Sequence, residues 1–294
     1  MYSKHLRKPF DVLSLAELAA LDRFELETIC RAQVQPVYLG DYAAICRILG
    51  RYKFYVDTRD QGFGSNLLLD GFWEMWITRA IAGRIKPGMV AIDIGANFGY
   101  YSLLMADLVG PKGMVIAVEP NPQVAPKLRD SLALNGFSER SRVIEAAAAA
   151  TSEGSAHLYA TVSEPKNAAV VSAETQADPA IARITSVPRW TAEAVASEFG
   201  RVDFIKIDAE GAEEDIVRGM RPILAKHKPD LVLEFNAGRY EDAQAFLTEV
   251  MAFYPSLQIV DDAGDLVSVN PERVLTHKIG SDWPLFFSSG AAKG

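Results

Sequence analysis

The hydrophobic pattern changes period near residue 88. Upstream, apolar residues recur at helical spacing from Leu15 to Cys30 (Leu15, Leu18, Leu21, Leu26, Ile29) behind Ser14, a favourable N-cap residue, which predicts one amphipathic leading helix. Two runs rich in aliphatic and aromatic residues, Ala43 to Leu49 and Tyr52 to Asp57, flank Gly50-Arg51 and read as a β-hairpin. Between Gly62 and Gly83 a loop leads to a second helix carrying Phe72, Trp73, Trp76 and Ile77. Residues 1–60 are therefore expected to form an N-terminal extension, and 61–290 the main domain.

After the turn signal Lys86-Pro87-Gly88, short apolar runs alternate with helical segments, the pattern of a parallel sheet with crossover helices. Strands are expected at Met89 to Ile94, Met114 to Val118, Arg142 to Glu145, Val202 to Ile207 and Leu231 to Phe235. Helices are expected at Gly99 to Leu108, Pro122 to Leu134, Ala192 to Phe199, Glu213 to Met220 and Tyr240 to Phe253. Leu257 to Val260, the turn Asp261-Asp262-Ala263-Gly264 and Leu285 to Phe287 suggest two final strands that pair antiparallel. The segment Ser163 to Pro188 has few large apolar residues and reads as an excursion over the sheet, either a binding loop or a linker.

Composition narrows the class. Of 294 residues, 49% are hydrophobic and 23% charged, the balance of a globular chain with a substantial core. A net charge of −8 without a lysine or arginine block argues against affinity built on nucleic-acid phosphates. Lys4, Arg7 and Lys8 have no apolar run behind them, and no stretch is long enough to span a bilayer, so a cytoplasmic protein without a membrane partner is expected. Cys30 and Cys46 lack metal or redox spacing. The histidines His5, His157, His227 and His277 form no spaced pair and read as surface residues.

The sharpest motif is Val90-Ala91-Ile92-Asp93-Ile94-Gly95-Ala96-Asn97-Phe98-Gly99, where a buried strand ends in a glycine-rich turn and opens a helix. Ligands of open α/β sheets bind at such carboxyl ends. A dinucleotide turn would read G-x-G-x-x-G, whereas Asn97 stands at the second glycine and no Gly-Lys-Ser or Gly-Lys-Thr follows, so the turn suits a ligand without phosphates. One strand later, Ile116-Ala117-Val118-Glu119-Pro120-Asn121 places a carboxylate where it can accept both ribose hydroxyls of an adenosine. Its alternative role is an ordinary charge at a helix N-terminus, worth roughly 0.3 to 1 kcal/mol.

Together with Phe204-Ile205-Lys206-Ile207-Asp208-Ala209-Glu210-Gly211-Ala212-Glu213 and the upstream Gly71-Phe72-Trp73-Glu74, these motifs resemble the FkbM family of S-adenosylmethionine-dependent methyltransferases, from about Tyr55 to Asn236. The resemblance implies a Rossmann-like class I methyltransferase fold, an α/β doubly wound, mostly parallel seven-stranded sheet in the order 3-2-1-4-5-7-6 with an antiparallel last strand. It implies O-methylation of a hydroxyl on a sugar, a glycan-linked compound or a secondary metabolite. Carried over by motif, Asp93, Gly95, Ala96, Asn97 and Gly99, with Glu74, line the methionine end of the cofactor. Glu119, Pro120 and Asn121 hold the ribose, and Ala146, Ala147 and Ala148 flank the adenine. The alanines carry no polar group to read that base, so backbone groups would do so, or the run is a buried strand end.

Deprotonating an alcohol acceptor calls for a nearby base. Strand alternation puts Lys206 and Asp208 on one side, with Glu210 just beyond the strand end. Asp208 is the first catalytic candidate and Glu210 the second; Asp208 also borders the cofactor, and Lys206 reads as an ion-pair partner. Asp208, Glu234 and Asn236 offer oxygen ligands to Mg²⁺, which the resemblance does not require, so no metal site is assigned. Trp73, Trp76, Tyr100 and Tyr101 are core or acceptor-facing aromatics. An NAD-dependent oxidoreductase and a non-catalytic binding protein are the alternatives, and the oligomeric state stays open. The turn predicts that S-adenosylmethionine and S-adenosylhomocysteine bind while NAD does not; calorimetry with all three checks it, and NAD binding without a response to the other two contradicts it.

Overall fold

The computed structural model describes residues 11–161, 168–172, 174–276 and 282–290. The leading segment forms two helices, α1 (Leu15–Ala20) and α2 (Arg23–Gln33), in place of the single one expected. Asp22 breaks it: its carboxylate accepts from Glu25 N at 2.9 Å while Glu25 Oε2 accepts from Asp22 N, a capping box that starts a new helix. The hairpin β2 (Ala43–Ile48) and β3 (Tyr52–Asp57) is present, and β1 (Val37–Gly40) extends it to three antiparallel strands. The aromatic stretch also splits, into α3 (Phe63–Asp70) and α4 (Met75–Arg84), because Gly71 and Glu74 are both left-handed, with φ 73° and 35°. Phe72 and Trp73 thus sit in the connection rather than on a helix.

Beyond residue 88 the elements run β4 (Val90–Ile94), α5 (Tyr100–Val109), β5 (Met114–Val118), α6 (Ala125–Leu134) and β6 (Ser141–Ile144). A side arm follows: β7 (Ala147–Ala148), β8 (Ser155–Thr161), β9 (Ala169–Val171) and β10 (Ala182–Trp190), in spatial order β7-β10-β8-β9. Then come α7 (Glu193–Phe199), β11 (Phe204–Ile207), α8 (Glu213–His227), β12 (Asp230–Phe235), α9 (Ala243–Met251), β13 (Gln258–Val260), β14 (Leu266–Ser268), α10 (Pro271–Leu275) and β15 (Trp283–Phe287). The expected excursion is therefore partly ordered sheet. The side-arm strands are mostly half-exposed, and the residues they bury, Ala147, Ala156, Leu158, Ala182 and Val187, are mostly small, too weak an apolar pattern to read as core. His5, His277 and residues 163–167 lie outside the described residues.

The main sheet runs β14-β13-β15-β12-β11-β4-β5-β6. Omitting β14, this is the 3-2-1-4-5-7-6 order, with β15 antiparallel to both β12 and β13. The seven strands implied become eight because Asp261 accepts from Ala263 N and Asp265 N, each at 2.9 Å, and turns β14 back along β13. Alternation divides the sheet into two apolar faces. Ala91, Val115, Ala117, Phe204 and Val232 pack with α4, α5, α6 and the N-terminal elements, while Ile92, Ile116, Ile205 and Leu233 pack with α7, α8 and α9. The chain is thus doubly wound, with helices on both faces of a mostly parallel sheet, and among the described residues no helix is long and apolar enough to cross a membrane.

Helix α8 runs past the expected end at Met220 and through Pro222. Burial of Ile223 and Leu224 outweighs the loss of one helical hydrogen bond. One turn earlier, Gly219 lets this helix approach the strand carrying the alanine run: a Cβ there would meet Ala149 O at 2.6 Å and Ala150 Cα at 2.8 Å. Gly219→Ala should be destabilising, because overpacking against backbone costs about 1 to 3 kcal/mol while the gain in helix propensity is about 1 kcal/mol. Urea unfolding checks it; a rise in stability contradicts this packing.

Candidate active site

The glycine turn is held from two sides. Gly95 N and Ala96 N both donate to Val118 O at 3.0 Å, tying the end of β4 to the end of β5. At Gly95, with φ 74°, a Cβ would lie 1.7 Å from the Asp208 carbonyl oxygen, so only glycine lets β4 and β11 end side by side. Asn97 is left-handed at φ 52°, and its N–H donates to Glu119 Oε2 at 2.9 Å. Glu119 Oε1 accepts from Asn121 N at 2.8 Å. One buried carboxylate therefore fixes both the turn and the next strand end. Burial pushes its pKa up to about 7 even though two N–H donors favour the charged form.

On the α5 side of the sheet, register sets Lys206 directly beside Asp93. Lys206 is 3% exposed; its Nζ donates to Asp208 Oδ2 at 3.0 Å and lies 4.8 Å from the centre of the Tyr101 ring. Burial alone pulls its pKa down, but the charges of Asp208 and Asp93 more than offset this, so the ammonium is held above the usual lysine value. Asp93, fully buried, accepts from Ser102 Oγ at 2.6 Å, and burial raises its pKa. Glu74 accepts from Tyr101 Oη at 2.8 Å, and its carboxyl is likewise raised by burial.

A second knot of charge gathers around Arg239. Arg239 donates to Glu234 Oε2 at 2.8 Å and lies 3.2 Å from Glu210 and 3.3 Å from Asp282. Burial and then the Asp208 charge push Glu234 up to about 9, against the Arg239 hydrogen bond. Asn236 Nδ2 donates to Asp282 at 2.9 Å, and its oxygen accepts from Gly238 N. One oxygen each of Asp208 and Glu234 is thus engaged by Lys206 and Arg239 and the Asn236 oxygen by a backbone N–H, and among the described residues no group of three or more His, Cys, Asp or Glu is arranged to hold a metal. Glu213, buried at the start of α8, accepts from Ala209 N, Gly211 N and Tyr240 Oη and so shapes the loop carrying Asp208 and Glu210.

These groups surround one cavity at the carboxyl ends of β4, β5 and β11. Of the residues expected there, Glu74, Gly95, Ala96, Asn97, Glu119, Pro120, Ala147, Asp208 and Glu210 line it. Asp93, Gly99, Asn121 and Ala146 lie behind its wall: Asp93 faces Ser102, Gly99 makes room for Leu128, Asn121 caps the Pro120 turn, and Ala146 is buried ahead of β7. Ala148, Leu158 and Val170 bring the side arm into the wall. Arg239 and Asp282 were missed because they lie outside the strand-end motifs, and Glu213, which ends one of them, carried no site role in the sequence. The only cue was position: Arg239 and Glu213 follow shortly after Asn236 and Asp208.

Residues 93–265, more than half of the chain, match the Methyltransferase FkbM domain. The chain belongs to the FkbM methyltransferase family. This FkbM chain is 25% identical to the 2-O-methyltransferase NoeI of Sinorhizobium fredii over 189 residues, 60% of this chain and 74% of that protein. It is 44% identical over 52 residues to a protein-L-isoaspartate O-methyltransferase of Aeropyrum pernix, 18% of this chain and only 20% of that enzyme. The solved methyltransferase FkbM from Methylobacillus flagellatus KT shares 17% identity over 73% of this chain and 54% of its own, at a TM-score of 0.40, too low to bear on the argument.

S-adenosylmethionine is the cofactor expected for this family and fold, and the FkbM site suits it. The turn gives close backbone access at Gly95, an acid stands at the end of β5, and Val118, Ala147, Ala148 and Leu158 offer a flat apolar wall. If Glu119 takes the ribose, the hydroxyls donate to its ionised form, so binding favours that form. Affinity should be full above pH 7 and weaken by up to about tenfold per unit below it, while Glu119→Ala should cost about 1 to 3 kcal/mol. Titrations of S-adenosylhomocysteine between about pH 6 and about pH 8 check both; a flat profile with an unchanged alanine variant contradicts the role.

Proposed function

We propose that the protein transfers the methyl group of S-adenosylmethionine to a hydroxyl oxygen of a sugar, glycan-linked or secondary-metabolite acceptor. The observation that carries this reading is the Asp208 carboxylate, held by buried Lys206 on the wall of the cavity beside the glycine turn. The similarity to NoeI, a 2-O-methyltransferase, supports oxygen as the acceptor atom.

In this reading the backbone of Gly95, Ala96 and Asn97 holds the methionine end, and half-buried Glu74 supplies a negative partner to its positive charge. Glu119 takes the ribose, and Ala147 and Ala148 lie against the adenine. When bound, the cofactor supplies an electrophilic methyl carbon on a sulfonium, so the acceptor oxygen gains the C–O bond as the C–S bond breaks. The chain's contribution is chiefly alignment, which can be worth several kcal/mol. Asp208 uses Oδ2 to accept from Lys206 Nζ, and no second donor to it stands among the described residues. Its other oxygen receives the hydroxyl proton as charge leaves the acceptor. Glu210, paired with Arg239, belongs to that knot of charge rather than meeting the reacting atoms.

Asp208→Asn keeps shape and removes basicity. It should leave S-adenosylhomocysteine affinity within about twofold and lower turnover by roughly 10²- to 10⁴-fold. The assay is S-adenosylhomocysteine release with an acceptor found by screening sugar, polyketide and phenolic hydroxyl compounds; parental turnover in the variant contradicts this role for Asp208.

A further inference from the structure

A second cavity adjoins the first. It is lined on the β12 and β15 side by Val232, Asp282 and Pro284, and on the α4 side by Trp76 and Ile77. Four residues line both cavities: Glu74, Lys206, Asp208 and Glu234. The junction is therefore the place where a group held in the first cavity meets a molecule held in the second, and Asp208 stands at it. Pro284 faces Glu234 across the antiparallel β12–β15 pair. Trp76 carries the Arg23 guanidinium 4.7 Å from its ring centre, which fixes it as a wall.

The charge of this chamber is one-sided. Glu74, Asp208 and Asp282 line it as carboxylates, with Glu234 held protonated near neutral pH by its raised pKa, against the single cation Lys206. Lys206 is spent on Asp208 and Asp93, and the neighbouring Arg239 on Glu234, Glu210 and Asp282. No cation among the described lining residues is left to meet an incoming anion.

Building on the methyltransferase reading, we infer that the second cavity receives the methyl acceptor and selects it by charge, taking uncharged or amine-bearing hydroxyl compounds and rejecting carboxylates and phosphate esters. An anion brought to within a few ångströms of this excess of carboxylates is repelled and loses hydration with no cation to replace it, whereas a hydroxyl or ammonium group finds acceptors on several sides. Trp76 and Pro284 give an apolar face against which a ring can lie.

The test is a matched set of probes differing only in charge: methyl glucoside, methyl glucosaminide and methyl glucuronide, each titrated by ligand-observed NMR into protein saturated with S-adenosylhomocysteine. The first two should bind and the glucuronide should bind at least about tenfold more weakly. Pro284→Trp, which fills the second cavity, should abolish probe binding and leave S-adenosylhomocysteine affinity intact, which also reports that the variant is folded. Asp282→Lys, at a half-exposed position, should narrow or reverse the discrimination against the glucuronide. Equal or preferred binding of the glucuronide, binding of none of the three, or probe binding untouched by both variants overturns the inference. Failure of S-adenosylhomocysteine itself to bind is a different result, and overturns the methyltransferase reading on which the inference rests.

Discussion

Lys206 is a lysine almost without solvent contact at the end of a central strand, and a buried ammonium is tolerated only where opposite charge and hydrogen bonds surround it. The parallel register of β4 and β11 supplies Asp93 directly alongside, and the residue two places on supplies Asp208. A slip of that register by one residue would turn the ammonium into the apolar face formed by Ile92, Ile94 and Ile205. The charge pairing and the sheet therefore specify each other. The same register places the Asp208 carbonyl where a side chain at Gly95 would stand, so the cradle and the carboxylate proposed to meet the acceptor share one wall.

The surroundings set the electrostatic character of the pocket. Burial raises Glu74, Asp93 and Glu119, and each is held by its neighbours: Tyr101 for Glu74, the Lys206 ammonium and Ser102 for Asp93, and the Asn97 and Asn121 amides for Glu119. Such a site favours a ligand carrying positive charge and hydroxyl donors over one carrying phosphates. Three non-glycine residues lining the cavity, Glu74, Asn97 and Glu210, adopt left-handed backbone, a conformation that persists where surrounding contacts over-determine it and that clusters at ligand sites.

The parallel core was legible in the sequence because its strands are continuous apolar runs bounded by turn signals; β5 falls at Met114–Val118 as expected, and β4 and β12 within one residue. The glycine turn, Glu119 and Asp208 were legible because a strand end, a turn and a helix start announce themselves in consecutive residues. Tertiary decisions were not. The break at Asp22 turns on a local capping box winning over helical periodicity, and α8 continues through Pro222 because Ile223 and Leu224 are buried. The side arm and the Arg239 knot depend on contacts between segments far apart in the chain: β10 against β7, and Arg239 against Asp282. Strand motifs carry no record of such pairs.

The most direct test of this arrangement is a crystal structure with S-adenosylhomocysteine bound. The account requires the ribose hydroxyls within hydrogen-bonding distance of Glu119, the adenine against Ala147 and Ala148, and the sulfur facing the junction of the two cavities at Glu74, Lys206, Asp208 and Glu234. A ligand seated away from the β4 turn, or with its sulfur turned from that junction, would contradict it.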